Sequence, residues 1–240
     1  MIVPVAAGDH SWQGLLNDLA AVAAQTGLSA LEVLFVGSDA AELDALQHSL
    51  SRFPGTFQQQ VSTACAGHSR ATAMNAGAAL AQGEYLWFVH ADSRLTARHI
   101  RSLQHSIAQS PDALHYFNLR FYGHPLMWLN SLGVWLRSHW LATPFGDQAL
   151  CLSQQNFFRI GTYPEAAGMG EDHILVWHAL QQGIKLRCTG TALFTSARKY
   201  VEQGWLKTTG WHVYLWARQA WPEFKVLLRT RWRHQRGKAG

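Results

Sequence analysis

Cysteine is scarce in this 240-residue sequence. Cys65, Cys151 and Cys188 are odd in number, far apart and in no Cys-x-x-Cys pair. That pattern argues against a disulfide framework or a thiolate zinc site and leaves reduced thiols. Long apolar runs are missing too: no stretch of about 18 or more apolar residues reads as a membrane span. The opening residues, MIVPVAAGDH, have neither the basic start nor the long apolar core of a secretion signal. These absences predict a soluble, cytoplasmic protein. No internal repeat, low-complexity tract or clear linker divides the chain. Charged residues are few, 15% against 48% hydrophobic, which excludes a disordered or collagen-like chain. The length suits one large domain or two small ones, with a substantial core in either case.

The net charge of +5 is unevenly spread. Residues 1–120 carry 6 basic and 9 acidic side chains, residues 121–197 carry 4 of each, and residues 198–240 carry 10 basic and 2 acidic. Tryptophan follows the same gradient, with 2 of 11 before residue 120. The last fifth of the chain therefore has a different physical task from the rest.

Short β-rich runs alternate with helical stretches through the first 120 residues. Strands are expected at Ile2–Ala6, Leu31–Val36, Val61–Cys65 and Tyr85–Val89, and helices at Trp12–Ala24, Ala40–Leu50 and Ser69–Ala81, the last closed by Gly83. A new helix begins near Leu95. Continuous apolar strands alternating with helices imply a parallel sheet covered on both faces. Ligands of such sheets sit beyond the carboxyl ends of the strands, which aligns Ala7–His10, Gly37–Asp39, Gly67–Arg70 and His90–Arg94 along one edge. Further on, Leu114–Tyr122 alternates like an antiparallel strand, and 125–140 reads as a strongly apolar helix. Ala149–Leu152 and Lys185–Cys188 read as strands, and Glu171–Gln182 as a helix closed by Gly183. A final helical tract runs from about Val201 to Trp221, where Pro222 interrupts it.

Several polar groups fall on that edge. Asp92 ends the strongest buried strand; a carboxylate there can hold a divalent cation whose other ligands are diphosphate oxygens. Equally, Asp92 or Ser93 can cap the following helix. Glu171 and Asp172 open a helix, where the dipole keeps a carboxylate ionised and able to act as a base toward a hydroxyl, although acidic residues favour a first helical turn in any case. Arg70 can contact phosphate or anchor the Asp92 loop, whereas Asn75 reads as a packing and hydrogen-bonding position. Asp147 and Gln148 lie in a polar turn, TPFGDQ, of the kind that grips a sugar or acceptor hydroxyl, or that simply turns the chain.

Taken in order, "SRATAMNAGAALAQGEYLWFVHADSRL", "PFGDQALCLSQQNFFRIGTYPEAAGMGEDHILVWHAL" and "TSARKY" resemble family 2 glycosyltransferases of GT-A fold, and within them a small bacterial subgroup whose strand-end motif reads HAD rather than DxD. The likeness covers roughly residues 1–220 in layout and is specific over about 67–95 and 143–200. It implies an α/β domain with a mostly parallel mixed sheet flanked by helices and a helical, basic C-terminal extension. Residues 1–222 would form one domain, with 1–95 the nucleotide-binding half and 96–200 the acceptor half; 223–240 would be a basic tail.

The resemblance further implies transfer of a sugar from a nucleoside diphosphate sugar, with inversion and with magnesium or manganese as cofactor. Asp92 would ligate the metal and diphosphate, with His90 beside it as a second ligand or a packing residue. Asp172 would be the general base and Glu171 would orient the acceptor or a neighbouring loop. Arg70, Arg198 and Lys199 would face the diphosphate, and Asp147 and Gln148 the substrate.

This chain departs from the family pattern in places. Val3-Pro4-Val5 leads into Ala6–His10 instead of Asn-Glu, the second strand ends only in Gly37-Ser38-Asp39, and Ala73 replaces the usual glutamine. Asp39 or Asp9 is left to hold the nucleoside. A nucleotidyltransferase making a sugar nucleotide is the enzymatic alternative, disfavoured because Ala6–Gln13 contains no Lys or Arg. A degenerate transferase fold that binds membrane or nucleic acid is the non-enzymatic one. In the C-terminal segment Trp205, Trp211, Trp216, Trp221 and Trp232 interleave with Lys207, Arg218, Lys225, Arg229 and further cations. That composition suits peripheral contact with the headgroups of an anionic membrane, while at least half of the tryptophans up to Trp221 would cover the core. No nucleic-acid module accompanies the tail, so nucleic acid is not the expected partner.

Overall fold

The apolar runs of the sequence become the strands of a single sheet. The computed structural model describes residues 1–26, 31–122, 126–167, 170–196 and 204–236. Strands β1 (Ile2–Val5), β2 (Val33–Gly37) and β3 (Val61–Cys65) pair in parallel in the order β1-β2-β3. Strands β4 (Tyr85–Trp87), β5 (Leu114–Tyr122), β6 (Cys151–Ser153) and β7 (Leu186–Ser196) pair in the order β4-β6-β5-β7. The two sets join where Ile2 bridges Phe88 in parallel and the Val89 amide donates to the Ile2 carbonyl at 3.0 Å. The running order is thus β3-β2-β1-β4-β6-β5-β7, and β6 opposes the rest.

Helices α1 (Trp12–Thr26), α2 (Ala40–Leu50), α3 (Gly55–Gln58), α4 (Arg70–Leu80), α5 (Ala97–Gln109), α6 (Met127–Trp140), α7 (Gln154–Arg159), α8 (Glu171–Gln181) and α9 (Trp205–Arg236) complete the described elements. Alternate strand residues enter two cores. Val3, Phe35 and Trp87 join Trp12, Leu15 and Leu19 of α1 and Leu103 of α5. Ile2, Leu34, Leu86 and Phe88 join Met74 of α4 and Leu175 and Val176 of α8. Each such fully buried side chain contributes about 1.5–3 kcal/mol, so the carboxyl ends of β1, β2 and β4 are held between helices on both faces. Helix α4 approaches β1 closely at Gly77, where an added Cβ would overlap Ile2.

The expected mostly parallel sheet flanked by helices is present, with local corrections. Strand β5 is parallel to β7 along its length and antiparallel only to β6, at His115. Strand β7 extends to Ser196, because Thr189–Thr191 bulge opposite Phe117 and the ladder resumes at Ala192. Helix α4 ends without a glycine: Ala81 turns extended, the Gln154 amide donates to its carbonyl, and Glu32 accepts the Gln82 amide. Gly183, by contrast, follows α8 with φ +77°, as expected. Pro222 lies inside α9 rather than interrupting it. Proline removes one helical hydrogen bond, but Ala220 and Leu227 pack on Trp177 from either side of it and carry the helix through. All three cysteines are free thiols. Among the described residues no helix is long and apolar enough to cross a membrane.

Candidate active site

The parallel strands bring the loops after β1, β2, β3 and β4 to one edge, and α4 starts there. Ser69 caps α4, accepting the Thr72 amide while Thr72 Oγ1 accepts the Ser69 amide, and this places Arg70 in the first turn. Its Nε donates to Glu171 Oε1 at 2.5 Å, its Nη2 lies 3.7 Å from Asp172 Oδ2, and its Nη1 lies 3.4 Å from His90 Nε2. One guanidinium therefore joins the acid pair of α8 to the end of the β4 strand. Burial and the adjacent Arg70 push His90 below the ordinary imidazole value, so a neutral ring accepts from Arg70.

Glu171 and Asp172 are 4% and 7% exposed and occupy the first turn of α8, where the helix dipole favours carboxylates. Asp172 Oδ2 accepts the Gly146 amide at 2.5 Å and its Oδ1 accepts the His173 amide at 3.0 Å. Burial alone would raise its pKa. The Arg70 guanidinium and the two amides outweigh that and hold the carboxyl below its usual range. Gly146 fits only as glycine, because an added Cβ would strike the Asp172 carboxylate.

The turn Gly146–Gln148 carries the remaining predicted residues. Gln148 is buried: its amide nitrogen donates to the Phe117 carbonyl at 2.9 Å, and its oxygen accepts from Phe145 N, Ser138 Oγ and Arg137 Nη2. Asp147 follows Gly146 directly, and burial pushes its carboxyl up to about 6. Asp92 is exposed and is not a helix cap; the capping residue of α5 is Thr96, paired with His99. Arg94 anchors the Asp92 loop instead, donating twice to Asp18 of α1 at 2.7 Å. Asp39 caps α2 by accepting the Ala41 amide. Asn75 clamps the Tyr163 backbone from both sides at 2.9 and 3.0 Å. Arg198 and Lys199 lie outside the described residues.

Arg70, His90, Glu171 and Asp172 thus meet directly, Asp147 adjoins them through Gly146, and Asp39 stands apart on the neighbouring loop. No cluster of three or more His, Cys, Asp or Glu among the described residues could hold a metal by itself. The exposed Asp92 carboxylate fits an ion shared with diphosphate oxygens, the usual way magnesium is bound. His90 fits less well, since its Nε2 is directed at a guanidinium. Two features escaped the sequence reading: the Gly146 amide as a partner of Asp172, and the Arg137 guanidinium stacked 3.3 Å over the Phe145 ring. The motif FGDQ was the signal for the first; nothing local signalled the second.

The family model "Glycosyl transferase family 2" matches residues 12–163, more than half of the chain. The chain belongs to glycosyl transferase family 2. Solved structures share its GT-A fold. The mannosyltransferase PcManGT from Pyrobaculum calidifontis, in complex with GDP-Man and Mn2+, superposes with a TM-score of 0.65 at 18% identity over 96% of this chain and 67% of that one. TarS from S. aureus gives 0.60 at 15% identity, over 81% of this chain and 36% of TarS. TarS 1–349 in complex with UDP-GlcNAc gives 0.57 at 17%, over 81% and 57%. The family 2 chain here therefore spans well under two thirds of the TarS structures. No curated protein sequence matches it.

Proposed function

We propose that this family 2 protein transfers a sugar from a nucleoside diphosphate sugar to an acceptor hydroxyl, inverting the anomeric carbon, with Asp172 as general base. The observation that carries the proposal is the setting of Asp172: a carboxylate at a helix N-terminus, held ionised by Arg70 and two amides, and linked through Arg70 to the strand end that bears Asp92. The acceptor oxygen attacks the anomeric carbon from the face opposite the diphosphate. As that bond forms, the bond to the diphosphate oxygen breaks and its electron pair leaves with the diphosphate. The acceptor proton passes to Asp172. A weakly basic carboxylate suffices because the attacking hydroxyl becomes strongly acidic as its bond to carbon forms.

The remaining residues support that step. Glu171 fixes the Arg70 guanidinium, whose side chain is 40% exposed and can meet a diphosphate oxygen. Arg198 and Lys199 add positive charge for the same leaving group, Asp39 holds the nucleoside, and Asp147 contacts the acceptor while Gln148 positions that turn. Asp92 would hold magnesium or manganese, which when bound supplies charge stabilisation to the leaving diphosphate. The family match and the nucleotide-sugar complexes of the similar structures favour this reading over nucleotidyl transfer.

The enzyme sits peripherally on the inner face of an anionic membrane. Its support is the exposed apolar face of α6 and α9, where Trp128, Trp140, Trp211 and Trp221 are all more than half exposed beside Lys207, Arg218 and Lys225. Replacing these four tryptophans by glutamine lowers co-sedimentation with phosphatidylglycerol vesicles; unchanged binding would refute the placement. The transfer reading is tested with a panel of nucleoside diphosphate sugars, with manganese or magnesium and then with chelator. Metal-dependent release of nucleoside diphosphate is expected from at least one donor. The absence of both turnover and nucleotide binding with every donor would refute it.

A further inference from the structure

Between α6 and α9 lies a cavity of about 520 Å³, a size that encloses a small ligand. Its walls are mostly apolar, with Leu129, Val134 and Leu141 of the α6 side facing Trp205, Val213 and Trp216 of α9. Arg137, Phe145 and Asp147 also line it, with the Arg137 guanidinium stacked on the Phe145 ring. Asp147 follows Gly146, whose amide holds Asp172 at 2.5 Å, so the apolar cavity and the proposed base share one turn. The same two helices also expose Trp128, Leu132, Trp140, Leu206, Trp211 and Trp221, and α9 carries Lys207, Arg218 and Lys225.

We propose that this cavity receives the hydrocarbon chain of a membrane-held acceptor lipid, placing its hydroxyl head at the Asp147 end, beside Asp172. The chemistry recognised is an alkyl or isoprenoid chain ending in a hydroxyl-bearing headgroup. Three observations combine: a mostly apolar cleft, the Asp147 turn of the acid pair in its lining, and tryptophans and cations exposed on the same two helices, a composition that suits a headgroup layer. The assignment rests on the transfer reading for what happens at the hydroxyl, but chain binding is measurable without turnover.

Gly133 supplies the test. It lines the cavity, and a Cβ added there meets nothing within 4 Å. Larger side chains fill the space, and replacing a mid-helix glycine favours the helix. The probe is 11-bromo-1-undecanol, whose bromine quenches tryptophan fluorescence on contact, titrated into the full chain without vesicles. Saturable quenching is expected in the wild type. Gly133→Leu and Gly133→Phe should weaken the probe by about tenfold or more, since several methylenes lose their site, while nucleotide binding and melting temperature are kept. Trp205→Phe/Trp216→Phe should remove most of the saturable quenching. Unchanged titration in both Gly133 variants would overturn the assignment. So would quenching that persists in the double tryptophan variant, which would mean adsorption to the exposed tryptophans. Probe binding with neither turnover nor nucleotide binding for any donor would refute the transfer reading alone, whereas turnover with no saturable probe binding would refute the cavity assignment alone.

Discussion

Replacing Arg70 by methionine keeps the apolar stem of the side chain and removes the guanidinium that reaches Glu171, Asp172 and His90. Removing one partner of a buried ion pair costs about 3–5 kcal/mol, because the other charge is left uncompensated. The Arg70 side chain is 40% exposed while the Glu171 and Asp172 side chains are buried, so solvent screening brings the expected loss down to about 2–3 kcal/mol. For a chain of this size that lowers the melting temperature by about 4–12 °C.

The pH dependence identifies the cause. Asp172 lies below its ordinary value of 3.8 in the folded protein. Its ionised form therefore stabilises the fold above that value, and the contribution disappears as pH falls through the lowered pKa. Without Arg70, burial dominates and the carboxyl rises, so ionised Asp172 becomes a cost at neutral pH that protonation relieves. Urea unfolding of wild type and Arg70→Met at pH 7 and at about pH 4.5 should show a smaller gap between them at the lower pH. A loss under about 0.5 kcal/mol at pH 7, the size of an ordinary surface substitution, or an equal loss at both pH values would refute the reasoning.

Asp147→Asn should gain stability relative to wild type as pH rises from about 4 to about 6, the span between the ordinary carboxyl value of 3.8 and the buried one, and the gain should level off above it. The cost arises because the unfolded carboxyl ionises while the buried one stays protonated, and melting temperatures across pH 4–8 read the difference; a pH-independent offset contradicts it. Gly146→Ala drives a methyl group into the Asp172 carboxylate, for a stability loss of about 1–3 kcal/mol and a fall in transfer rate with nucleotide affinity kept. Wild-type kinetics in that variant would show that the Gly146 contact does not position Asp172. Gln148→Leu leaves the Phe117 carbonyl and Phe145 amide without their side-chain partner, at about 2–4 kcal/mol; a loss below 1 kcal/mol by urea unfolding would mean water or a neighbour replaces it.

Much of the sheet was legible because its signals are local. The continuous apolar runs 33–36 and 85–89 can be satisfied only by strands buried on both faces, and Ser69 ahead of an alanine-rich segment starts α4 where expected. The acid pair was legible as a helix start. What lay beyond reach depends on distant partners. Arg70 and Glu171 are 101 residues apart, so sequence spacing gave no reason to join them rather than tie Arg70 to the Asp92 loop. The cap of α5 fell to Thr96, four residues past Asp92, because Arg94 holds the intervening loop to Asp18. The bulge at Thr189–Thr191 reads locally as a turn, and Pro222 reads locally as a stop; pairing with β5 overrides the first and packing on Trp177 the second. Of the four tryptophans expected to divide between core and surface in α9, Trp205 and Trp216 are half-buried and line the cavity, while Trp211 and Trp221 are exposed.

The central claim is that Asp172 deprotonates an acceptor in a single inverting displacement. With a donor that turns over, the direct measurement is transfer by wild type and Asp172→Asn beside nucleotide affinity, with the anomeric configuration of the first-formed product read by proton NMR. An inverted product is expected from wild type, and for Asp172→Asn undiminished nucleotide binding with transfer reduced by about 100-fold or more, the usual contribution of a positioned base. A product of retained configuration, or transfer by Asp172→Asn at the wild-type rate, would contradict it.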